Sequence, residues 1–323
     1  MREIKITKQE ESQRLNKFLA KYLNKAPKGF IYKMIRKKNI KINDAKVDGS
    51  EILSDGDILQ LYLSDETIEK FMEEKYVNED ADSLSIIFED ENILIVDKPL
   101  GVLSHPDSGA DRNTLIDRIL NYLYKKGEFD TDISSSFTPA ICNRLDRNTG
   151  GLVVCGKNLG TVQQINKTIL DNNMKKYYLA IVKGVIKEKG ILKGYHAKDD
   201  ATNQVKISEK EFENSKKVHT EYEPIKYTDD FTMLKINLIT GKTHQIRAHL
   251  QSINHPIVGD RKYGDKEINN WVKEKFAVNN QLLHAQEIFF EKSDGIIKYL
   301  EGQAFSSEPT KNFKRVERVI FKK

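Results

Sequence analysis

The residues of this chain with the strongest claim to chemistry are one acid set among cations, a group of histidines and two cysteines. Asp146 stands in Asn143-Arg144-Leu145-Asp146-Arg147-Asn148-Thr149-Gly150-Gly151-Leu152, so its carboxylate projects from a turn between arginines. An ionised carboxylate can act as nucleophile or base, although the same composition also describes an ion pair in a charged surface loop. His244, His249 and His255 cluster in sequence without matching His-Glu-x-x-His, and Cys142 and Cys155 lack the paired spacing of a zinc site, so no metal centre is expected. The two thiols are expected to stay reduced. The chain carries no Gly-x-Ser-x-Gly elbow, no Gly-x-x-x-x-Gly-Lys phosphate loop and no Gly-x-Gly-x-x-Gly turn. Hydrolase, nucleotide-dependent and dehydrogenase readings therefore lose their support.

These groups need a scaffold, and 323 residues suggest about two domains. Hydrophobic residues make up 38% of the chain against 31% charged, enough apolar material for a core, which argues against global disorder. No run approaches the roughly 18 apolar residues of a membrane span, and Met1-Arg2-Glu3-Ile4-Lys5 opens a charged segment, so a soluble, cytoplasmic protein is expected. The net charge of +5 hides three unlike parts: +6 over residues 1–64, −9 over 65–91 and +8 over the rest. The acidic stretch Asp65-Glu66-Thr67-Ile68-Glu69-Lys70-Phe71-Met72-Glu73-Glu74, with Asn78-Glu79-Asp80-Ala81-Asp82, lacks the periodicity of a packed element and reads as a solvated linker over 65–84. The carboxyl end is basic again, with Lys311, Lys314, Arg315, Arg318, Lys322 and Lys323. Two basic bodies suit a polyanion, but lysine-rich surfaces are equally a device for solubility.

In the first body Leu15, Phe18, Leu19, Tyr22 and Leu23 form the stripe of an amphipathic helix beginning near Ser12 or Gln13. After Lys25-Ala26-Pro27-Lys28-Gly29, Ile31, Met34 and Ile35 mark a second helix, with Lys33, Arg36, Lys37 and Lys38 mostly off its apolar face. Ile40 and Ile42, Val47, and Leu59, Leu61 and Leu63 then read as short hairpin strands punctuated by Asn43-Asp44, Asp48-Gly49 and Asp55-Gly56-Asp57. In the second body a hairpin over 85–96, apolar runs at 151–155, 178–182, 233–239 and 286–290, and a helical stripe over 161–170 describe strands with scattered helices. That pattern predicts an α+β fold with a mostly antiparallel mixed sheet flanked by helices and loops.

Arg14-Leu15-Asn16-Lys17-Phe18-Leu19 and the closing Asp55-Gly56-Asp57 resemble the S4-like RNA-binding domain over about residues 12 to 63. That resemblance implies that Lys33, Arg36, Lys37 and Lys38 lie against RNA phosphates, positioning without base specificity, where the residues alone also fit a solvated helix face. The Asp146 segment, Lys98-Pro99-Leu100-Gly101-Val102, Lys176-Tyr177-Tyr178-Leu179-Ala180, Thr240-Gly241-Lys242-Thr243-His244-Gln245-Ile246-Arg247-Ala248-His249-Leu250, and Pro256 to Asp260 with Tyr263-Gly264 are harder to explain as packing. Together they closely resemble the RluA family of RNA pseudouridine synthases over about residues 85 to 290. With the amino-terminal unit, the chain is similar to the RluC/RluD-like branch that acts on large-subunit (23S) ribosomal RNA.

The resemblance implies an isomerase that breaks the bond from ribose to uracil N1, turns the base and rejoins it through C5 with loss of the C5 proton. There is no redox change, and no cofactor is expected. By family position Asp146 is the essential aspartate, attacking ribose or assisting departure of the base; Tyr178 is the active-site tyrosine that stacks on the target ring and is placed to help remove the C5 proton; Arg247 pairs with the aspartate. On the residues alone, Tyr178 also fits a core strand position and Arg247 an exposed helix face. Thr243 is expected to cap the helix that carries Arg247. Arg144 is a candidate RNA contact beside a flipped nucleotide. Departures from the family pattern are Asn143 in place of His, Gly150 in place of Ser, and Lys242 in place of an arginine, which keeps charge at an RNA contact while losing a bidentate fork. The stretch from Ser104 to Pro139, including Thr131-Asp132-Ile133-Ser134-Ser135-Ser136, is expected to include an exposed loop beside the site. The expected organisation is an RNA-binding domain at 1–64, the acidic linker and a catalytic domain at 85–323, acting as a monomer on RNA without a membrane or an obligate protein partner. A transfer RNA synthase and a non-catalytic RNA-binding or ribosome-assembly factor are the competing readings.

Overall fold

Near the amino terminus the apolar residues are spaced to close a small core of their own. The computed structural model describes residues 1–8, 10–72, 77–107, 111–130, 137–199 and 204–322. Strand β1 (Arg2–Lys5) leads to helices α1 (Leu15–Tyr22) and α2 (Lys28–Arg36), then β2 (Ile40–Ile42), β3 (Ala45–Lys46) and β4 (Ile58–Leu61), and the four strands form an antiparallel sheet in the order β1-β4-β2-β3. The predicted stripes meet in it: Leu15, Phe18, Leu19 and Tyr22 from α1 pack with Ile31, Met34 and Ile35 from α2 over Ile4, Ile40, Leu59 and Leu61. Two expectations change. Strand β1 precedes the helices, because Ile4 and Ile6 alternate with exposed neighbours and reach this core. Helix α1 starts at Leu15, not near Ser12, because the Ser12 amide donates to Leu53 O at 2.8 Å, the Leu53 amide donates to Gln13 O at 2.9 Å, and Arg14 bridges Ile52 as extended chain.

The acidic segment is more structured than its composition predicts. Ser64 caps helix α3 (Asp65–Phe71), whose first-turn acids Asp65 and Glu66 suit the positive end of the helix dipole. Ile68 and Met72 are buried in the amino-terminal core. One apolar side chain per turn is enough to dock so short a helix, and that is too few to register as periodicity. Residues 77–84 are held by side chains of α4 (Leu115–Lys125): Asn121 donates to Glu79 O and Ala81 O at 3.2 and 3.3 Å, and Arg118 pairs with Asp82 at 2.9 Å.

From β5 (Ser85–Glu89) onward the chain builds one large sheet. It takes in β6 (Ile93–Lys98), β7 (Ala140–Ile141), β8 (Gly150–Gly156), β9 (Met174–Lys183), β10 (Gly190–Asp199), β11 (Gln204–Ser208), β12 (Lys216–Tyr227), β13 (Phe231–Leu238), β14 (Leu283–Phe290) and β15 (Ala304–Ser306). The path is β11-β10-β12-β13-β9-β14-β8-β6-β5, with β15 on β14 and β7 on β8, and among the described residues only the β14–β8 pair is parallel. The central strands read as unbroken apolar runs because both faces are covered. Leu94, Val96, Val153, Cys155, Tyr178 and Ala180 face α4 and α6 (Gln245–Ser252), while Ile93, Ile95, Leu152, Val154, Leu179 and Ile181 face α5 (Leu159–Leu170), α7 (Lys266–Phe276), a 3-10 turn at Gly295–Leu300 and α8 (Lys311–Ile320). This is the predicted α+β architecture with a mostly antiparallel mixed sheet. The expected polar loop at Thr131 to Ser136 lies outside the described residues.

Candidate active site

Asp146 occupies the loop between β7 and β8, and the sequence around it supplies the fasteners. Asn143 clips the loop to β8, its Nδ2 donating to Leu152 O at 3.1 Å and its Oδ1 accepting from the Val154 amide at 2.8 Å. Ser104 bonds both the carbonyl and the amide of Leu145, at 3.0 and 3.1 Å. The Lys98 ammonium, fully buried, donates to Pro99 O, Val102 O and Arg147 O at 2.9, 2.8 and 3.1 Å, tying the Lys98–Val102 segment to the residue after Asp146. Burial pulls Lys98 down to about 7, against the opposing pull of Asp146 and Asp97. Where the loop enters β8, Gly151 has φ +117° and a Cβ there would stand 2.2 Å from Ala285 O. Only glycine lets β14 approach so closely, and that approach closes the sheet beneath the carboxylate.

Arg247 comes from 101 positions away. It sits on the first turn of α6 and is 7% exposed, which removes the exposed-helix alternative. Its Nε and Nη2 donate to Asp260 Oδ2 and Oδ1 at 2.6 and 2.9 Å, and its Nη1 donates to Asp146 Oδ2 at 2.9 Å. Asp260 is fully buried and also accepts from the Lys262 and Tyr263 amides. Burial opposes both charges, but Asp260 and then Asp146 raise Arg247 above its ordinary value, while Arg247 and the two amides hold Asp260 below its own. The helix is not capped as expected: His244, at φ +52°, occupies the N-cap position in place of Thr243 and makes no side-chain cap bond. The bend turns the imidazole toward the carboxylate, with Nε2 3.9 Å from Asp146 Oδ2.

Tyr178 lies on β9, 4% exposed, in the same apolar cluster as Leu145. Burial and then the charge of Asp146 raise its hydroxyl above the ordinary phenol value, so it stays protonated at neutral pH. Asp146 and Arg247 thus share an ion pair, and Tyr178 feels the same carboxylate. Arg144 and Lys242 are exposed on the flanking loops; Lys33 and Arg36 are exposed on α2 and Lys37 and Lys38 just past its C-terminal end, over a separate core. The other histidines point elsewhere, His249 Nδ1 to Thr220 Oγ1 at 2.8 Å and His255 Nδ1 to Lys183 O at 2.8 Å. Sequence reasoning assigned no role to Asp260, Lys98, His244 or Tyr263. All four lie inside the unusual segments that carry the resemblance, which was the available signal.

The arrangement offers a carboxylate with one oxygen locked to a guanidinium and a buried phenol that feels its charge. Residues 92–252 match the RNA pseudouridylate synthase family. An uncharacterised RNA pseudouridine synthase of Mycoplasma pneumoniae is 32% identical over 292 residues, 90% of this chain and 88% of the relative. The ribosomal large subunit pseudouridine synthase C of Buchnera aphidicola is 32% identical over 298 residues, 89% and 88% of the two chains. Among solved structures, human RNA pseudouridylate synthase domain containing 4 shares the fold with a TM-score of 0.56 at 20% identity, covering 73% of this chain and 92% of its own. The chain belongs to the RluA family of RNA pseudouridine synthases, isomerases that convert uridine in RNA to pseudouridine.

Proposed function

We propose that this protein isomerises specific uridines of large-subunit (23S) ribosomal RNA in the cytoplasm, as a monomer, through Asp146, Tyr178 and Arg247. The observation that carries the assignment of roles is the bidentate grip of buried Asp260 on Arg247, whose remaining nitrogen holds Asp146 Oδ2. A guanidinium fixed in that way orients a carboxylate without being consumed. Asp146 then attacks the ribose carbon or assists departure of the base. Tyr178, held as the neutral phenol, stacks on the freed ring; C5 then bonds the ribose carbon, displacing Asp146 if it had bonded there, and the C5 proton is lost to solvent. Residues 1–64, with α3 docked on the same core, serve as the S4-like RNA-binding domain, and 85–323, with 77–84 held against α4, as the catalytic body. Lys33, Arg36, Lys37 and Lys38 contact phosphates, and Arg144 and Lys242 contact RNA beside the flipped nucleotide. The ribosomal target is supported by the names of several relatives and by the basic amino-terminal helix.

The test is tritium release from C5-labelled uridine in 23S ribosomal and transfer RNA transcripts, with the wild type and Asp146→Asn compared at equal RNA binding. Release from ribosomal RNA that falls on the order of 10³-fold or more in the variant supports the proposal. Release from transfer RNA alone reassigns the target. Tight binding with no release from either RNA moves the protein to the assembly-factor reading.

A further inference from the structure

His244 holds a backbone conformation that favours glycine, and its side chain is used at both ends. The ring lies edge-on to Tyr263, with centroids 5.6 Å apart and planes at 72°, and its Nδ1 is 3.1 Å from the Tyr263 hydroxyl. That hydroxyl oxygen accepts a hydrogen bond from the Val205 amide of β11 at 3.1 Å. With one lone pair taken by the amide, the phenol is left with a hydrogen to donate to Nδ1. A neutral imidazole that accepts at Nδ1 carries its own proton on Nε2, the nitrogen that faces Asp146 Oδ2. A hydrogen-bonded chain from a strand amide through Tyr263 thus favours the proton on Nε2, the nitrogen that faces the carboxylate.

The oxygen so addressed is the one Arg247 already holds. Among the described residues no hydrogen bond reaches Asp146 Oδ1, so a second donor on Oδ2 keeps the other oxygen free for the sugar. At 3.9 Å the contact is one small closure short of a hydrogen bond, the ordinary state of such contacts before substrate arrives. The charged and titratable groups around the ring are Asp146 and Asp260, which favour its protonation, Arg247 and Lys262, which oppose it, and the Tyr263 hydroxyl. Burial is the largest influence and lowers the imidazole below its ordinary value, so it is neutral at pH 7.

Resting on the synthase reading above, we infer that His244 is a positioning residue for Asp146: Tyr263 holds it in the Nε2-protonated tautomer, and with Arg247 it keeps Oδ2 turned away and Oδ1 open to the ribose. Protonation of His244 weakens the carboxylate as nucleophile or base, so turnover falls on the acid side as the ring gains its second proton.

The experiment is single-turnover tritium release from about pH 5 to about pH 8 for the wild type, His244→Leu, His244→Gln and Tyr263→Phe, with RNA affinity measured alongside. His244→Leu is expected to slow turnover on the order of 10- to 100-fold with unchanged RNA affinity, and His244→Gln, whose amide restores a donor, to recover most of it while losing the acid limb. Tyr263→Phe, which frees Nδ1 for protonation, is expected to move the acid limb to higher pH. Nitrogen-15 shifts of the His244 ring give a readout independent of turnover, showing the Nε2–H tautomer in the wild type and a mixture in Tyr263→Phe. A wild type that releases tritium beside variants of unchanged rate and pH profile overturns this inference alone, as does a wild-type ring protonated on Nδ1. A wild type that releases none overturns the synthase reading itself.

Discussion

Charge is used in opposite ways at the two ends of this molecule. On α2 and at its C-terminal end, Lys33, Arg36, Lys37 and Lys38 stand in solvent. Around Asp146, Arg247 is 7% exposed and its partner Asp260 is fully buried. Exposed cations keep their hydration and mobility, so each adds a small, salt-sensitive increment to the binding of a polyanion and tolerates replacement. Buried charges have surrendered their hydration and depend on a few fixed partners, so geometry is gained and tolerance lost. On the proposed reading the exposed set serves affinity and the buried set alignment.

The comparison breaks most sharply at Asp260. Asp260→Asn leaves Arg247 buried without its paired charge and with one of its three acceptor oxygens replaced by a donor, and an expected loss of about 3 kcal/mol in urea unfolding should accompany a fall in turnover larger than the loss of stability explains. Intermediate in size is the cluster around Glu89, which accepts from Lys157, Lys126 and Tyr122 at 2.5, 2.8 and 2.6 Å. Burial would raise Glu89, but the hydrogen bonds from Lys126, Lys157 and Tyr122 outweigh it and bring the carboxyl down to about 2. A folded value below the unfolded one, about 4.3, makes this contribution complete above that value and lost as pH falls toward 2. Urea titrations at pH 6 and pH 3 should therefore show a stability difference that shrinks by on the order of 1 to 2 kcal/mol in Glu89→Gln. The smallest effects belong to α2. Single alanine replacements of Lys33, Arg36, Lys37 or Lys38 should lower the salt dependence of RNA binding by about 0.7 to 0.9 per lost phosphate contact, with turnover at saturating RNA unchanged. A loss of turnover there would erase the distinction between the two ends.

Much of this was legible in the residues. The stripes of α1 and α2, the two-faced strands around 93–96 and 151–155, and the segments holding Asp146, Tyr178 and Arg247 announce themselves locally, through periodicity or through residue types that packing does not require. Helix α3 did not, because Ile68 and Met72 dock it with too few apolar side chains to form a pattern. Helix α4 lies within a stretch expected to include a loop, although Thr114 and Asp117 form a capping box at its start.

By itself the sequence determined which segments stand out from packing, where the chain turns and which strands are buried on both faces, because residue type, propensity and alternation are properties of neighbours along the chain. The tertiary structure decided what each group is held by. Asp260 clamps Arg247 across the end of α6, Lys98 pins the carbonyl of Arg147, Gly151 admits β14, and a tyrosine held by a strand amide meets Nδ1 of His244. These pairings join residues far apart in sequence, and their strength comes from burial, which exists only once the sheet has closed around them.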